Sequence, residues 1–546
     1  MTHCTESLAV GAGPSVPWAR LRSLFAGATV SRPLMTVIAV FIGAFLTGVH
    51  TRLFTITLAD LRGQFGLGFD EGAWLGTMLN APQLLIAPIV PWFAAIYGTR
   101  RIVVVPSFLF ALVTLITPFT HDYAALLILH GLAGLFLGIF LTVTISMTFR
   151  NLPPHLWIIG LAFYGFRLVF GLNTGVSAAG FYIEELGWQW VYWTTTVIAP
   201  VMGILAWKSI PSEPVNRDML RDTDWPGMVL FCFGLMLIYI GIDHGERLNW
   251  LSSGTVVACL SCGTLSFVFA LLNALLKEKP FGSFEGIRNR NVVTALCIGM
   301  VYGLITVSNA MLIPNFLGTI GQLKAAQTGD VLMLLAVISA VLLVPVAMLT
   351  RRLDSRIMMT IGFVAFAVSS WLGTKLTHQW GPDDFVVIVV PMAIGHSFVF
   401  TGMMAYSVSN SNPKLIVSML AYVPIVRIVA PVAATAVMVV WLRIREQTHA
   451  SLIGLYVQSG DDTVVERLSL LTDVYANIGA GLNSAAVQAQ GAVASVIARE
   501  AKVLAYIDGF QLSFWASLVA LLLILTLRAS PPNPITQPLI IIPARK

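Results

Sequence analysis

The stretch Gly48–Gly66, GVHTRLFTITLADLRGQFG, places three ionisable side chains in an otherwise apolar run: His50, Arg52 and Asp60. Ionisable groups at membrane depth are costly, which makes them functional candidates. His50 titrates near neutrality when unperturbed, so it is a candidate proton carrier; the alternative is a neutral histidine that is hydrogen-bonded between helices. Arg52 does not deprotonate usefully, and its remaining roles are to bind an anion or to pair with a carboxylate.

The direction of these side chains follows from the helical repeat. At about 100° per residue, His50 shares a stripe with Thr57, a candidate substrate contact, whereas Arg52 points about 200° away. His50 and Arg52 therefore do not both face one narrow site. Asp60 is a second proton-coupling candidate, and we expect it to pair with Arg52 or Arg62 in a gate, or to form an ordinary ion pair at the membrane surface.

Five more polar side chains interrupt apolar runs. Arg167 and Arg427 are candidate substrate contacts, and the alternative for Arg427 is a structural tie to backbone carbonyls. Asn173 could supply a substrate hydrogen bond. His130 and His396 are interpreted either as satisfied interhelical histidines or as a proton relay member and a substrate contact, respectively. Because arginines and histidines occur near span centres and carboxylates do not, the sequence favours an anionic or neutral substrate, such as a weak aromatic acid.

The composition indicates which elements must position these groups. Of 546 residues, 57% are hydrophobic and 11% are charged, which leaves too little polar surface for a water-soluble globule. We therefore predict an all-α polytopic membrane protein. The net charge of +6 is attributed to the positive-inside bias, and no nucleic-acid partner is expected. Cys259 and Cys262 lack a second ligand pair, so neither a metal nor a cofactor is expected.

Motifs of catalysis are missing from the sequence. It contains no His-Glu-x-x-His helix, no phosphate-binding Gly-rich loop that ends in Lys-Ser/Thr, and no convincing nucleophile elbow. We therefore expect neither an enzyme nor an ATP-driven pump. An ion gradient would supply the energy.

Fourteen runs are long enough to cross a bilayer, which takes about 20 mostly apolar residues. The predicted spans are 34–58, 73–96, 102–119, 124–147, 157–182, 190–208, 226–244, 251–276, 291–313, 328–349, 357–375, 384–406, 415–441 and 508–528. An even number puts both termini on one side. Lys and Arg are concentrated in the loops of that side, which makes it cytoplasmic.

Basic loops flank the seventh and eighth spans, so the chain divides into six helices, an inserted pair and six more helices. The predicted parts are a cytoplasmic tail (1–33), a six-helix lobe (34–208), the inserted pair with its loops (209–290), a second six-helix lobe (291–528) that includes an outer helical segment (442–507), and a cytoplasmic tail (529–546). The outer segment is predicted to form two helices that extend the last two spans, the alternative being a passive loop. A site between two lobes that rock around it is the general arrangement for alternating access.

A glycine-rich motif carries a family resemblance. Gly175 and Gly180 stand at the spacing from the pair Trp188 and Trp190 that follows the fifth-helix antiporter motif of the major facilitator superfamily. The chain is most similar to its fourteen-helix drug:proton antiporters of the EmrB/QacA type. Val176 stands where that family has proline.

Two other places resemble the family and also depart from it. The loop WFAAIYGTRR keeps Gly98, Arg100 and Arg101 of the cytoplasmic signature, with Ala95 in place of its aspartate. The Gly48–Gly66 stretch aligns with the first-helix motif, with His50 in place of the usual aspartate.

The thirteenth span and the outer segment carry the last part of the resemblance. Arg445, Gln447 and His449 resemble the Arg-x-Gln-x-His pattern that opens the family's outer loop, and Arg427 stands where the family has an arginine in the thirteenth helix. The first three residues are candidates for docking a periplasmic membrane-fusion adaptor that continues to an outer-membrane channel.

The resemblance implies a major facilitator fold of two six-helix lobes and two inserted helices in a bacterial inner membrane. It also implies proton-coupled secondary transport that exports hydrophobic or amphipathic compounds by alternating access, of the multidrug-efflux type. The residues add that these compounds are anionic or aromatic. An organic-acid uptake carrier of the same fold is one alternative. A transport-inactive scaffold or sensor is another, because Ala95, Val176 and His50 replace motif residues.

Overall fold

The protein is described by a computed structural model that covers residues 32–151, 153, 157–282, 289–410, 421–457, 461–478 and 482–530. The predicted N-terminal and C-terminal tails lie almost wholly outside these ranges. Every regular element within them is helical.

A helix stands at each of the fourteen predicted spans. The helices are α1 (Pro33–Phe65), α2 (Phe69–Ile86 and Val90–Tyr97), α3 (Thr99–Ile116), α4 (Tyr123–Asn151), α5 (Trp157–Phe181), α6 (Trp190–Ser209), α7 (Trp225–Asp243), α8 (Gly254–Leu276), α9 (Arg290–Val307, continued by Ile313–Thr319), α10 (Ala325–Thr350), α11 (Ser355–Gly373), α12 (Val386–Ser409), α13 (Ala430–Gly454), α14 (Asp462–Asn477) and α15 (Leu482–Leu525). Helix α14 belongs to the outer segment and is not a predicted span.

Most of these helices can cross a membrane by length and composition. Within the described ranges twelve do so as single helices, and the two segments of α2 make a thirteenth span that is bent by 53°. The bend has a local cause: Pro88 lies in the break and Pro91 follows it in the first turn of the second segment. Each lacks a backbone N–H, and each ring crowds the carbonyl four residues earlier. Helix α5, at the fifth predicted span, is not among these thirteen; it has 25 residues and carries Arg167 near its middle.

In the described part of the chain, π-helical turns occur at three places, which the sequence patterns did not predict. They cover Tyr182–Leu186 after α5, Ser308–Leu312 within α9 and Ile425–Val429 at the start of α13. Such turns shift the face that a helix presents and are frequent at functional sites.

The buried apolar side chains form three clusters. The first joins α1 to α6 and includes Phe54 and Phe110. The second joins α5 to helices between α9 and α15 and includes Phe366 and Phe400. The third packs the inserted pair, α7 and α8, against α2 and α13 around Phe231.

The predicted motif glycines lie where helices or turns need them. Gly98 joins α2 to α3 with φ +82°, a conformation that disfavours a side chain. A Cβ at Gly175 would lie 2.7 Å from Cγ of Arg52 on α1, and a Cβ at Gly180 would lie 2.7 Å from the backbone of Ala326 on α10. Small residues therefore let α5 touch one helix from each half of the chain.

The arginines of the predicted loop signature lie beside these turns. The guanidinium of Arg100 lies 5.6 Å from the ring centroid of Trp207 on α6, and Nη1 of Arg101 donates to the carbonyl of Tyr97 at 3.4 Å. The signature thus ties the α2–α3 turn to α6 and to the end of α2.

The inserted pair is held at one end by a buried carboxylate. Asp224, 1% exposed, precedes α7 and accepts hydrogen bonds from Nδ2 of Asn273 at 2.6 Å, Nζ of Lys277 at 2.7 Å, and the backbone N–H groups of Gly227 and Phe281. Burial opposes ionisation, but these hydrogen bonds outweigh it and hold the pKa of Asp224 below its usual value. The carboxylate therefore fixes α8 and the loop after it to α7.

Candidate functional site

A central cavity of about 340 Å³ lies among the helices of both halves. The polar side chains that line it come from α1, α2, α5, α7, α9 and α13 and are Thr47, Thr51, Arg52, Thr55, Asn80, Gln83, Arg167, Tyr239, Tyr302, Thr306, Arg427 and Thr435. The lining contains three arginines and, among the described residues, neither Asp nor Glu. The cavity is therefore a site of net positive charge.

Arg167 on α5 is buried, at 1% exposure, and only partly hydrogen-bonded. Its Nη1 donates to the carbonyl of Ala44 on α1 at 3.0 Å, and its guanidinium lies 4.1 Å from the ring centroid of Tyr164. Nε and Nη2 have no hydrogen-bond acceptor among the described residues. A buried guanidinium with unused donors is costly, and an anion in the cavity would supply the missing acceptors.

Arg427 reaches the same aromatic ring from the other half of the chain. It lies in the π-helical turn that begins α13, with its guanidinium 5.2 Å from the ring of Tyr164 and 5.8 Å from that of Phe400. Its Nε and Nη1 also find no acceptor within the described ranges. Arg167 and Arg427 thus both lie within reach of one tyrosine ring, whose electron-rich face partly balances their charges.

Arg52, by contrast, has acceptors for both Nε and Nη2. Its Nε donates to the carbonyl of Leu172 on α5 at 3.0 Å, and its Nη2 donates to the carbonyl of Ala310 in the π-helical turn of α9 at 2.9 Å. Its aliphatic stem packs against Gly175. Arg52 therefore lines the cavity and also ties α1 and α5 to α9.

The expected gate between Arg52 and Asp60 is not formed. Asp60 is exposed further along α1, while Arg52 turns to backbone carbonyls instead. Arg62, the other expected partner, lies 5.2 Å from the ring centroid of Phe69. Arg52 and His50 point about 200° apart on α1. Because the face that carries Arg52 meets the cavity, His50 lies outside the cavity lining.

His50 and Thr57 lie on the opposite face of α1, outside the cavity lining. His50 is 1% exposed, 3.3 Å from Oγ1 of Thr195 on α6, with its ring 5.5 Å from that of Phe110. The hydroxyl of Thr57 donates to the carbonyl of Leu53. The predicted polar stripe of α1 also included Thr47 and Phe54. Of its members Thr47 lines the cavity, together with Thr51 and Thr55, whereas His50, Phe54 and Thr57 do not.

His130 is satisfied as a neutral interhelical histidine. Its Nδ1 lies 2.7 Å from the carbonyl of Leu126 and must donate to it, so its Nε2 accepts from the hydroxyl of Tyr192, 3.1 Å away. This tautomer leaves no unused donor or acceptor on the ring. His130 lies with His50 in the first cluster, away from the cavity.

His396 and Asn173 belong to a chain of hydrogen bonds behind the cavity. Nδ1 of His396 accepts from the hydroxyl of Tyr302 at 2.8 Å, and its Nε2 donates to Oδ1 of Asn309 at 3.2 Å. Nδ2 of Asn309 then donates to Oδ1 of Asn173 at 3.2 Å. Each group in this chain donates to the next, from Tyr302 to Asn173, and the last bond joins α9 to α5 through neutral groups. Of the four residues, Tyr302 alone lines the cavity.

Three residues of this region were not identified from the sequence. Tyr164, Tyr302 and Asn309 sit in apolar runs where single tyrosines and asparagines are common, so residue type gave no signal. The helical spacing of Tyr164 from Arg167, three residues on the same helix, could have suggested a stacked pair.

The outer ends of α2 and α7 share a second polar cluster. Nε2 of His244 lies 2.9 Å from Oγ1 of Thr77, whose hydroxyl donates to Oδ2 of Asp243 at 2.6 Å. Arg247 donates to Nδ1 of His244 and forms an ion pair with Asp70. Burial, together with the charge of Arg247, lowers the pKa of His244 to about 4.

The candidates for adaptor docking point partly inward. Nε of Arg445 and Nε2 of His449 each lie 2.6 Å from Oδ2 of Asp508, so these side chains tie α13 to α15. Gln447 is exposed. Of the three candidates, Gln447 is therefore the one whose side chain faces outward.

Comparisons with known proteins agree with this architecture. The Major Facilitator Superfamily model matches residues 40–423. The multidrug export protein EmrB of Haemophilus influenzae is 21% identical over 337 residues, which cover 62% of this chain and 66% of the relative. EmrB of Escherichia coli K12 is 20% identical over 336 residues, which cover 61% and 65%. The chain thus spans about two thirds of the length of these relatives.

A solved structure shows the same fold. A double-Trp mutant of XylE superposes with a TM-score of 0.53 at 13% identity, covering 92% of this chain and 97% of that one. The expected fold of helices that span a membrane in two halves is confirmed by this likeness and by the family match.

Proposed function

The chain belongs to the Major Facilitator Superfamily, whose members are membrane transporters rather than enzymes, and we propose that it exports amphipathic anions by proton-coupled alternating access. The direction of transport is inferred from the EmrB relatives, which are multidrug export proteins. The substrate class is inferred from the cavity.

The pair Arg167 and Arg427 carries the proposal. One guanidinium comes from α5 and the other from the π-helical turn that begins α13. Both have unused donors, both border the cavity, and both lie near the ring of Tyr164. A carboxylate or sulfonate between them would accept a charge-assisted hydrogen bond from each half of the bundle. A cationic drug would meet only repulsion, because no acidic side chain lines the described part of the cavity.

Apolar surface completes the site. Leu168, Leu172, Phe400, Met403 and Val426 also line the cavity. A pocket of this size with apolar walls and a few convergent polar groups suits a small aromatic or aliphatic anion.

Transport of an impermeant anion tests the proposal. Inverted vesicles that carry the protein are energised so that their interior becomes acidic, and uptake of 2-naphthalenesulfonate is measured. Accumulation that nigericin reduces is expected from a proton-coupled exporter. Each of Arg167→Gln and Arg427→Gln should raise the apparent KM about 10- to 150-fold, because a hydrogen bond to a charged group contributes about 1.5–3 kcal/mol.

The matched control is Arg499→Gln, which removes a guanidinium paired with Glu500 on the outer part of α15. It should transport normally. If both cavity variants transport like the wild type at equal abundance, the assigned site is wrong; if the wild type accumulates nothing, the transport proposal itself fails.

Uptake of an organic acid is the second candidate function. The cavity lining, which has no carboxylate among the described residues, favours it. Exchange of a cationic drug for a proton can work by competition of the two for one carboxylate, whereas a bound proton and a bound anion attract each other and so favour transport in the same direction. The same vesicles discriminate between the two functions. An uptake carrier would lose preloaded 2-naphthalenesulfonate when the interior becomes acidic.

The outer helices support a further part of the proposal, that they dock a periplasmic adaptor leading to an outer-membrane channel. Helix α15 has 44 residues, about 66 Å, and continues well beyond a membrane span. Deleting 450–500 is expected to abolish cross-linking to a co-expressed membrane-fusion adaptor while the protein remains folded. Unchanged cross-linking would rule out this role.

We further propose that the protein lies in a bacterial inner membrane with both termini in the cytoplasm. The basic residues Arg100, Arg101, Lys208, Arg351 and Arg352 all lie at the same end of the helices by span order. Reporter fusions at the two termini should both be active only as cytoplasmic reporters.

A further inference from the structure

A second cavity of about 440 Å³ lies on the outer flank of the bundle, between the inserted pair and α13. Its lining is apolar throughout and consists of Ile242, Trp250, Ala433, Ala436, Val437, Val440, Trp441 and Ile444. We call this cavity the flank groove. Val437 and Ile444 are 54% and 46% exposed, so one side of the groove opens toward the lipid.

One layer of side chains separates the flank groove from the central cavity. On α7, Tyr239 lines the central cavity and Ile242, three residues further, lines the groove. On α13, Val432 and Thr435 face the cavity while Ala433 and Ala436 face the groove. The seam between α7 and α13 therefore contributes side chains to both spaces.

Helix α13 is the looser side of this seam. Between Ala430 and Gly454 its buried side chains are Ala434 and Met438. The helix begins with a π-helical turn followed by Pro431, two features at which helices bend. At the seam itself it offers alanines, and beyond them Arg443 forms an ion pair with Glu246 in the turn after α7. Movement of α13 away from α7 therefore breaks this one ion pair and few apolar side-chain contacts.

Helix α7, in contrast, is anchored at both ends. Asp224 fixes one end to α8 and the loop after it through three hydrogen bonds, and the Thr77–His244–Arg247 cluster fixes the other end to α2. Movement at the seam is therefore a movement of α13, the helix that carries Arg427.

The two spaces are complementary in polarity to an amphipathic anion. Arg427 lies six to ten residues before Ala433–Val437, which is about 9–15 Å along a helix. A sulfonate or carboxylate held by Arg427 could thus extend an alkyl or aryl tail across the seam into apolar surroundings. Both volumes fall in the usual range of ligand pockets, about 300–1,000 Å³.

We infer that the flank groove is a second subsite, which receives the apolar tail of the transported anion, and that the α7–α13 seam is a lateral opening to the outer half of the membrane. This rests on the proposed transport of amphipathic anions. When this lateral opening forms, the inserted pair stays in place and α13 moves.

A chain-length comparison tests the inference. Ala436→Trp fills the groove, and Leu272→Trp on the exposed face of α8 is the matched control. Vesicle uptake of hexanesulfonate and tetradecanesulfonate is measured for both. Ala436→Trp is expected to reduce tetradecanesulfonate uptake at least tenfold and to leave hexanesulfonate uptake unchanged, while Leu272→Trp changes neither; equal loss of both substrates in Ala436→Trp overturns the inference.

Photolabelling of the wild-type protein gives a second readout that needs no variant to fold. A tetradecanesulfonate with a diazirine at its tail should label α13 between Ala433 and Ile444, and excess unlabelled tetradecanesulfonate should compete. Labelling that is not competed means that the groove holds bulk lipid only and overturns the inference. Wild-type uptake of hexanesulfonate reports separately on the proposed function, because its short tail does not need the groove.

Discussion

Arg52 should act as a latch between the two halves of the chain, and Arg52→Ala should open their contact. Its bond to Leu172 joins α1 to α5, whereas its bond to Ala310 joins this pair to α9. Close packing of Gly180 against Ala326 and of Ser177 against Gly329 shows that the α5–α10 contact on this side is closed in the structure. The Ala310 bond therefore stabilises the closed form specifically.

The magnitude follows from that one bond. A hydrogen bond to a charged group contributes about 1.5–3 kcal/mol, which is a shift of about 10- to 150-fold in the closed-to-open ratio. A closed form favoured by about 100:1 would fall to between about 10:1 and below 1:1. Such a change is large enough to appear as a second population.

Double electron–electron resonance measures the closed and open populations directly. Spin labels at the exposed positions Glu185 and Asp330, in a cysteine-free background, report the distance between α5 and α10. Arg52→Ala should add a population at longer distance. The control Arg62→Ala removes a guanidinium from the same helix, but one that packs on Phe69 and Gly72, and should leave the distribution unchanged. An unchanged distribution in Arg52→Ala would refute the latch.

Three further predictions concern packing and pH. Gly175→Ala should lower the free energy of unfolding by about 1–3 kcal/mol, because the new Cβ would crowd the aliphatic stem of Arg52. The control Gly131→Ala, whose Cβ meets open space, should not lower it, and thermal unfolding in detergent compares the two variants. Asp224→Asn should loosen α8 from α7 and increase hydrogen exchange in both helices. In the wild type, the stabilisation that the Asp224 carboxylate provides should be present above the ordinary carboxyl pKa and be lost as the pH falls below it, because the folded pKa of Asp224 is lowered. The α2–α7 contact should weaken as the pH falls from about 6.5 toward 4, because the folded pKa of His244, about 4, favours the neutral ring that accepts a hydrogen bond from Arg247. The thermal stability of the wild type should therefore fall in this pH range, and that of His244→Gln should lack this pH dependence.

The spans were predictable because membrane crossing depends on the length of an apolar run, which is local information. Each predicted span has its helix, including α5, whose Arg167 lowers its hydropathy. The direction of Arg52 relative to His50 was also predictable, since both lie on one helix and the angular repeat is fixed.

The pairing of side chains from different helices was not predictable. Arg52 and Asp60 are two turns apart on α1, which suggested an ion pair, but the acceptors of Arg52 are carbonyls of α5 and α9. Arg167 and Arg427 are separated by 260 positions in the numbering. Only the tertiary arrangement, in which both arginines border the central cavity, brings them to one tyrosine ring. Helix rotation cannot be read from a single sequence.

The π-helical turns explain why these contacts depart from a regular helical pattern. An extra residue in a turn widens the helix and leaves backbone groups available to outside partners. In α9 such a turn places Asn309 against Asn173 and the carbonyl of Ala310 against Arg52; in α13 another carries Arg427. The polar contacts that join the two halves, and the guanidinium that the second half contributes to the cavity, therefore arise where the helices are least regular. Because irregular turns rearrange at lower cost than straight helices, these two turns are where a movement of α9 or α13 would be transmitted to the substrate site.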